Sequence, residues 1–304
     1  MQTQTQTKPI ALCWEPVTLD TALRYRALPL LAPSCDYAAA NLYMWDEVYC
    51  QEVAFSGRRA AGRIREADGG YRYLFPVGEG DPAPVLDALL REAAGRGEPL
   101  RLVGVTEPEL PPLVSHFGED VRIVETREWE DYLYSAEKLA TLAGKKLHGK
   151  RNHIHAFCAE HTYETMPLDP SLWPACRGIL AAWREGREDE TAEEARAIER
   201  GFEAFGPLGL EGLLLIADGA PAAFTMGSRI TPEVFDVHFE KALPDVEGAY
   251  PLINREFVCA LREKYPEIAL INREDDMGLE NLRAAKLSYH PEQLLKKFDA
   301  TVTP

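Results

Sequence analysis

Apolar positions along the chain alternate between a helical period and a two-residue period, and they do so in the same order twice. Residues 18–31 carry apolar side chains at helical spacing. Asp36 then stands as an N-cap before a second helical stretch, DYAAANLYMWDEVY. Extended runs follow at about 51–55, 60–66 and 71–77, with Asp68-Gly69-Gly70 as the turn between the last two. Asp81-Pro82 opens a helix with proline at its first position, and the Gly95–Gly97 segment closes it. An apolar strand is expected over 100–105, a helix over 107–117 and one long alternating strand over 121–134.

Residues 135–158 form a long amphipathic stretch, with Leu139, Leu142, Leu147, Ile154 and Phe157 at roughly helical spacing. A domain boundary is placed near its start, dividing the chain into 9–138 and 139–304. A short strand over 162–166 follows. Asp169-Pro170 caps a helix reaching about Glu185, and Thr191 with Glu194 reads as a capping box for a helix that runs to Phe205. Strands are expected over 210–217, 222–230 and 234–242, with Asp218-Gly219 as the first turn. A helix over 250–265, a strand over 268–272, a helix over 279–289 and a last strand within 293–302 complete the chain. Each half therefore reads as two helices, three antiparallel strands, helix, strand, helix, strand. There is no obvious residue-level repeat. The shared order predicts an α/β (α+β) protein of two domains of one plan, each a mixed, mostly antiparallel sheet flanked by helices.

The length of 304 residues agrees with two domains. Apolar residues at 46% and charged residues at 27% give the ordinary globular balance, so disorder is excluded. The formal charge of −16 argues against coating duplex DNA, because phosphate binding needs a basic surface. The longest apolar runs, such as residues 213–217, are far shorter than the ~18 residues of a spanning helix. Residues 1–8 read as a polar tail, and no secretory signal is seen. The six cysteines form no CxxC pair and are expected reduced and mostly buried, which fits a cytoplasmic protein.

The chemistry scan removes several classes. There is no phosphate-loop signature, no HExxH and no GxSxG elbow. His153, His155, Cys158 and His161 are metal-capable. On a helix they do not converge, so no metal is expected there. Four polar segments stand out. KKLHGKRNHIH (145–155) concentrates Lys145, Lys146, Lys150 and Arg151. VHFEKA (237–242) places His238 and Glu240 on one face of a strand and Phe239 and Lys241 on the other. GAYPLINREF (248–257) enters a helix. INREDDMGLENLRAAKLSY (271–289) sets Asn272 and Arg273 at the carboxyl end of a strand, where α/β folds bind ligands.

These segments, with NLYMWDE near the start and GLEGLLLIADG at 209–219, resemble the phosphatidylglycerol lysyltransferase C-terminal domain family over nearly the whole chain. The resemblance implies two tandem domains similar to acyltransferases of the GCN5-related N-acetyltransferase type. It implies aminoacyl or acyl transfer to an amine or hydroxyl, with aminoacyl-tRNA or acyl-CoA as donor substrate and no resident cofactor. Membrane-bound relatives move a lysyl group from lysyl-tRNA to a lipid. The acetyl-CoA enzymes of the wider fold carry an R/Q-x-x-G-x-G/A loop, and Asp245-Val246-Glu247-Gly248-Ala249-Tyr250 keeps only its central glycine. Carboxylates there repel a pyrophosphate, although backbone amides at a helix start can still receive an anion.

Such transfer needs a base, a stabilised oxyanion and two substrates held together. Glu240 or His238 is the candidate base, against a buried His–Glu pair or a Glu240 neutralised by arginine. Asn272 is a candidate donor to a carbonyl oxygen. Arg273 is placed to hold a carboxylate or phosphate, against salt bridges within its own acidic segment. Arg151, Asn152 and Lys286 are candidates for an anionic group, against ordinary solvated positions. Tyr250 and Asn254 head the helix after VHFEKA, and Tyr43 and Trp45 read as core aromatics of the first domain. The second domain is expected to carry the site and the first to be a degenerate copy. An acetyl-CoA-dependent N-acetyltransferase and a non-catalytic binding module on the same fold are the alternatives.

Overall fold

The computed structural model of the chain describes residues 10–303. The polar tail expected over residues 1–8 lies outside the described residues. Within them the strands are β1 (Trp14–Pro16), β2 (Gln51–Ser56), β3 (Arg59–Arg65), β4 (Tyr71–Leu74), β5 (Val77–Gly78), β6 (Leu100–Thr106), β7 (Val121–Glu125), β8 (Asp131–Ser135), β9 (Tyr163–Pro167), β10 (Glu211–Ala217), β11 (Ala220–Thr231), β12 (Val234–Ala242), β13 (Leu270–Asn272), β14 (Gln293–Leu295) and β15 (Lys297–Val302). They form two mixed sheets. One has the order β1-β2-β3-β4-β6-β15-β7, with β5 added beside β3. The other has the order β14-β8-β13-β12-β11-β10-β9.

The chain packs as two compact units. The first contains residues 10–32, 49–126 and 297–303, and the second contains 33–48 and 127–296. Segments 33–48 and 127–138, placed by the sequence in the first domain, pack in the second unit. Tyr43 and Trp45 go with them, and Trp45 meets Phe239 at 6.0 Å between ring centroids.

Several boundaries differ from expectation for identifiable reasons. The single strand expected over 121–134 is two strands in two sheets. The Thr126 N–H donates to Lys297 O, and a 3-10 turn at Arg127–Trp129 follows. There Arg127 turns toward Tyr132 and Asp276, at 2.9 and 3.2 Å. The helix expected after Asp36 is broken into a 3-10 turn capped by Ser34 and helices Ala39–Met44 and Asp46–Tyr49. The stretch over 135–158 divides into helices Ala136–Thr141 and His148–Glu160, because Leu142 takes a left-handed conformation. Thr191 makes no capping box, since Glu194 reaches instead to Lys241 Nζ at 2.7 Å. Of the six cysteines, expected mostly buried, only Cys35 and Cys176 are buried.

The core of the second unit lies between its sheet and helix Ala249–Lys264. Leu252, Ile253, Phe257, Val258 and Leu261 of that helix, spaced at three and four residues, pack on Tyr134, Leu213, Leu215, Phe235 and Val237. This packing fixes the helix over one face of β12 and β13. Among the described residues no helix is long and apolar enough to cross a membrane.

Candidate functional site

β12 and β13 run parallel, but only Val234–Asp236 pairs with Leu270–Asn272. Beyond that point β12 continues to Ala242, while the chain after Asn272 turns away. Glu274 at φ +56° and Met277 at φ +50° make that turn in the left-handed region, at a cost of roughly 1 kcal/mol or more each. From Val237 on the two strands no longer pair, and this break in pairing, called the gap below, lies beside Glu240.

Glu240 is the centre of the gap. Arg273 Nη2 donates to its Oε1 at 3.0 Å, and Asn254 Nδ2 donates to its Oε2 at 3.1 Å. Arg273 lies over the rings of Tyr289 and Tyr134, at 4.9 and 5.8 Å from the centroids. Lys150 Nζ lies 4.0 Å from the Tyr289 centroid. Burial opposes the charge on Arg273, and Glu240 beside it more than restores that charge. Burial pushes the Tyr289 hydroxyl up to about 12. Burial and the charge of Arg273 lower the Lys150 pKa. Two buried atoms here lack a hydrogen bond of good geometry, Arg273 Nη1 and Asn254 Oδ1, and the Tyr289 hydroxyl is the polar group beside the Arg273 guanidinium. Leaving a buried polar atom unmet costs roughly 1–3 kcal/mol, so each calls for an explanation.

His238 does not join Glu240 as the strand alternation predicts. Met226 pairs with Phe239 but Gly227 pairs with Val237, so the ladder is irregular at His238 and the alternation is broken there. The His238 ring shares a 2.8 Å hydrogen bond with Ser228 Oγ through Nε2. Its Nδ1 is 3.1 Å from Glu274 Oε1 and 3.5 Å from Asp236 Oδ2. Asn41 Nδ2 also donates to Glu274 Oε1, at 2.9 Å. With both ring nitrogens engaged, His238 ties Glu274 in the 273–276 turn to Ser228 of β11.

The other expected residues fall into two groups. Asn272 is fully buried, and its Nδ2 donates to Pro33 O at 3.1 Å and to Asp131 Oδ2 at 2.9 Å. Its Oδ1 accepts from the Glu274 N–H, so no donor is left for a carbonyl substrate. Lys286 Nζ donates to the carbonyls of Arg273 and Asp275 and secures the same turn. Arg151 Nη1 donates to the carbonyls of Leu142 and Gly144 and joins two helices. Asn152 is exposed on its helix. Tyr250 stands nearer the gap: the residue is 37% exposed, but its hydroxyl points inward to Ala242 and Trp183. Burial pushes that hydroxyl up to about 12. The residues brought together at the gap are therefore Glu240, Asn254, Arg273 and Tyr250. Tyr134, Tyr289 and Lys150 join them without having been singled out for it. Lys150 in the basic run and Tyr289 closing the KLSY motif were the signals available.

The donor atoms of Asp236, His238 and Glu274 lie within 4.8 Å of one another, as do those of Cys35, Asp131 and Asp275. These are the two places among the described residues where a cation could find three ligands. The expected coenzyme A loop is a poor fit for a pyrophosphate. Gly248 at φ +83° packs so closely that a Cβ there would stand 2.7 Å from His153 O. Glu247 pairs with His153 at 3.3 Å, which keeps a carboxylate at the helix start.

A structure of a conserved protein of unknown function from Bacteroides thetaiotaomicron matches at TM-score 0.88 with 33% identity, covering 96% of this chain and 100% of that one. The C-terminal domain of a putative lysylphosphatidylglycerol synthetase from Agrobacterium fabrum matches at TM-score 0.67 with 16% identity, over 93% and 92% of the two chains. A tandem GNAT protein from the clavulanic acid biosynthesis pathway shares the fold at TM-score 0.51 with 14% identity, over 96% and 99%. An uncharacterised protein of Mycoplasmoides gallisepticum is 26% identical over 189 residues, which span 59% of this chain and 58% of that relative. The fold is thus the tandem acyltransferase-like one that the resemblance implied. The family described as phosphatidylglycerol lysyltransferase, C-terminal, matches residues 29–301, and the chain belongs to it.

Proposed function

We propose that the gap beside Glu240 carries transfer of an acyl or aminoacyl group to an amine or hydroxyl. The observation that supports this is the Glu240–Arg273 pair, set where β12 leaves β13, with a buried donor and a buried acceptor left unmet around it. Glu240 takes the proton of the acceptor, whose nitrogen or oxygen then bonds to the donor carbonyl carbon. The bond from that carbon to the donor's leaving oxygen or sulfur breaks, and the proton passes to the leaving group. Arg273 holds an anionic group of a substrate, and Tyr250 borders the gap. Asn272, His238 and Lys286 act as positioning residues through the turn that carries Arg273. Arg151 and Asn152 stay outside this chemistry. The family name denotes lysyl transfer, so an aminoacyl-tRNA is the first donor to try. Acetyl-CoA is the second, against the evidence of the Gly248 turn.

The test uses radiolabelled lysyl-tRNA or acetyl-CoA with a mixture of amino acids, polyamines and phosphatidylglycerol vesicles. The parent protein is expected to form a labelled product, and Glu240→Gln to lose roughly 100-fold or more in rate. No product from either donor, or full rate in Glu240→Gln, would overturn the proposal.

A further inference from the structure

The unmet atoms say more about what enters the gap. Arg273 Nη1 can only donate and Asn254 Oδ1 can only accept, so a ligand meeting both must present an acceptor and a donor. Both atoms belong to side chains already tied to the same carboxylate, one through each oxygen of Glu240. The two sites therefore flank Glu240 at short range. Asn254 is 1% exposed, so its Oδ1 is shut off from bulk solvent. The charges give the polarity. Arg273 and Lys150 both stand over the Tyr289 ring, at 4.9 and 4.0 Å from its centroid, and Arg273 pairs with Glu240. An anionic group on the ligand balances the excess on the Arg273 and Lys150 side. On the Asn254 side the open Oδ1 takes a donor, which an ammonium supplies.

We infer that the site holds a free α-amino acid, its carboxylate on Arg273 Nη1 and Lys150 and its ammonium between Glu240 and Asn254 Oδ1. A neutral ester would leave the second cation uncompensated, and a lone carboxylate would leave Asn254 Oδ1 unmet. This inference rests on the transfer reading for its use. The amino acid is then the acceptor, and its ammonium is the group that Glu240 deprotonates. The new bond joins its nitrogen to the carbonyl carbon of an activated ester or thioester donor. The donor's oxygen or sulfur leaves with one proton, a second proton goes to solvent, and the product is an N-acyl or N-aminoacyl amino acid.

The experiment is titration calorimetry on the full chain with each of the twenty free amino acids, followed by the N-acetyl and methyl ester forms of those that bind. At least one free amino acid is expected to bind saturably. Both of its blocked forms are expected to bind at least tenfold more weakly. Arg273→Lys should weaken the free amino acid at least tenfold. Asn254→Leu should weaken the free amino acid at least tenfold more than it weakens the N-acetyl form. Should these variants fail to fold, the ligand series on the parent protein decides alone. The inference is overturned if no free amino acid binds, or if either blocked form binds as well as the free one. Transfer to other amines without any amino acid binding would sink this inference and leave the transfer reading standing. Binding without transfer would do the opposite.

Discussion

Asp276 offers the sharpest test of how the site is held. It is fully buried, and its Oδ2 accepts from Tyr132 Oη at 2.6 Å, Arg283 Nε at 2.9 Å and Arg127 Nη1 at 3.2 Å. Its Oδ1 accepts from Arg283 Nη2 at 2.8 Å and from the Gly278 N–H at 2.9 Å. Burial alone would raise its pKa. The hydrogen bonds from Arg283, Tyr132 and Gly278 overcome that and hold the carboxyl well below the usual carboxylate range. Replacing it by asparagine leaves Arg283 facing an amide that cannot accept at both positions. Breaking a fully buried ion pair costs about 3–5 kcal/mol. Arg283 and Arg127 each keep 35% of the side chain exposed and can return to water, which reduces the loss. We expect Asp276→Asn to cost about 2–3 kcal/mol, a fall of roughly 4–12 °C in Tm for a protein of this size. The pH dependence has a definite sign. The folded pKa is depressed, so the stabilisation is complete above the unfolded value of about 3.9 and is lost as the pH falls below it. The gap between parent and variant in urea unfolding should therefore stay constant from about pH 8 to 5 and narrow below about pH 4. A Tm within about 1 °C of the parent at neutral pH, or a gap that widens in acid, would refute the argument.

Three further outcomes follow from the same geometry. Gly248→Ala adds a Cβ 2.7 Å from His153 O and 2.9 Å from Phe157 Cβ at a positive φ, and should destabilise by about 2–4 kcal/mol in chemical denaturation; a neutral effect would mean the turn is loose. Lys286→Met removes the donor to the Arg273 and Asp275 carbonyls and should cost about 1–3 kcal/mol. It should also lower the transfer rate more than Asn152→Ala does, and equal rates would separate the turn from the chemistry. A thiol reagent should modify Cys13, Cys50, Cys158 and Cys259 in the native protein, with Cys35 and Cys176 reacting only on unfolding. The Cys176 thiol is also pushed up to about 12 by burial, so its native labelling, mapped by mass spectrometry, would contradict the packing.

The element order and the family were legible because periodicity and motifs are local. What was not legible came from contacts between distant positions. Alternation continues through 121–134, but the strand ends at the turn where Arg127 reaches Asp276. Asn272 looked available until Pro33 and Asp131, far away in sequence, took both of its donors. His238 and Glu240 shared a predicted face until the ladder irregularity beside Gly227 removed the alternation. Within the site, Glu240, Asn254 and Arg273 were nameable from the sequence because polar residues stand out in apolar strands and helices. Tyr134 and Tyr289 were hidden, since aromatic residues are expected in any core.

The placement of β15 has a consequence for how the chain comes off the ribosome. This strand lies between β6 and β7, and a single residue, Lys296, separates it from β14 in the other sheet. The first sheet therefore receives an interior strand only after every strand of the second sheet has emerged. Until then β6 and β7 present open backbone edges, which invite pairing with other chains. The usual order of domain-by-domain maturation, amino-terminal first, is thus unavailable here. Folding of the first unit is then governed by contacts of very high sequence separation.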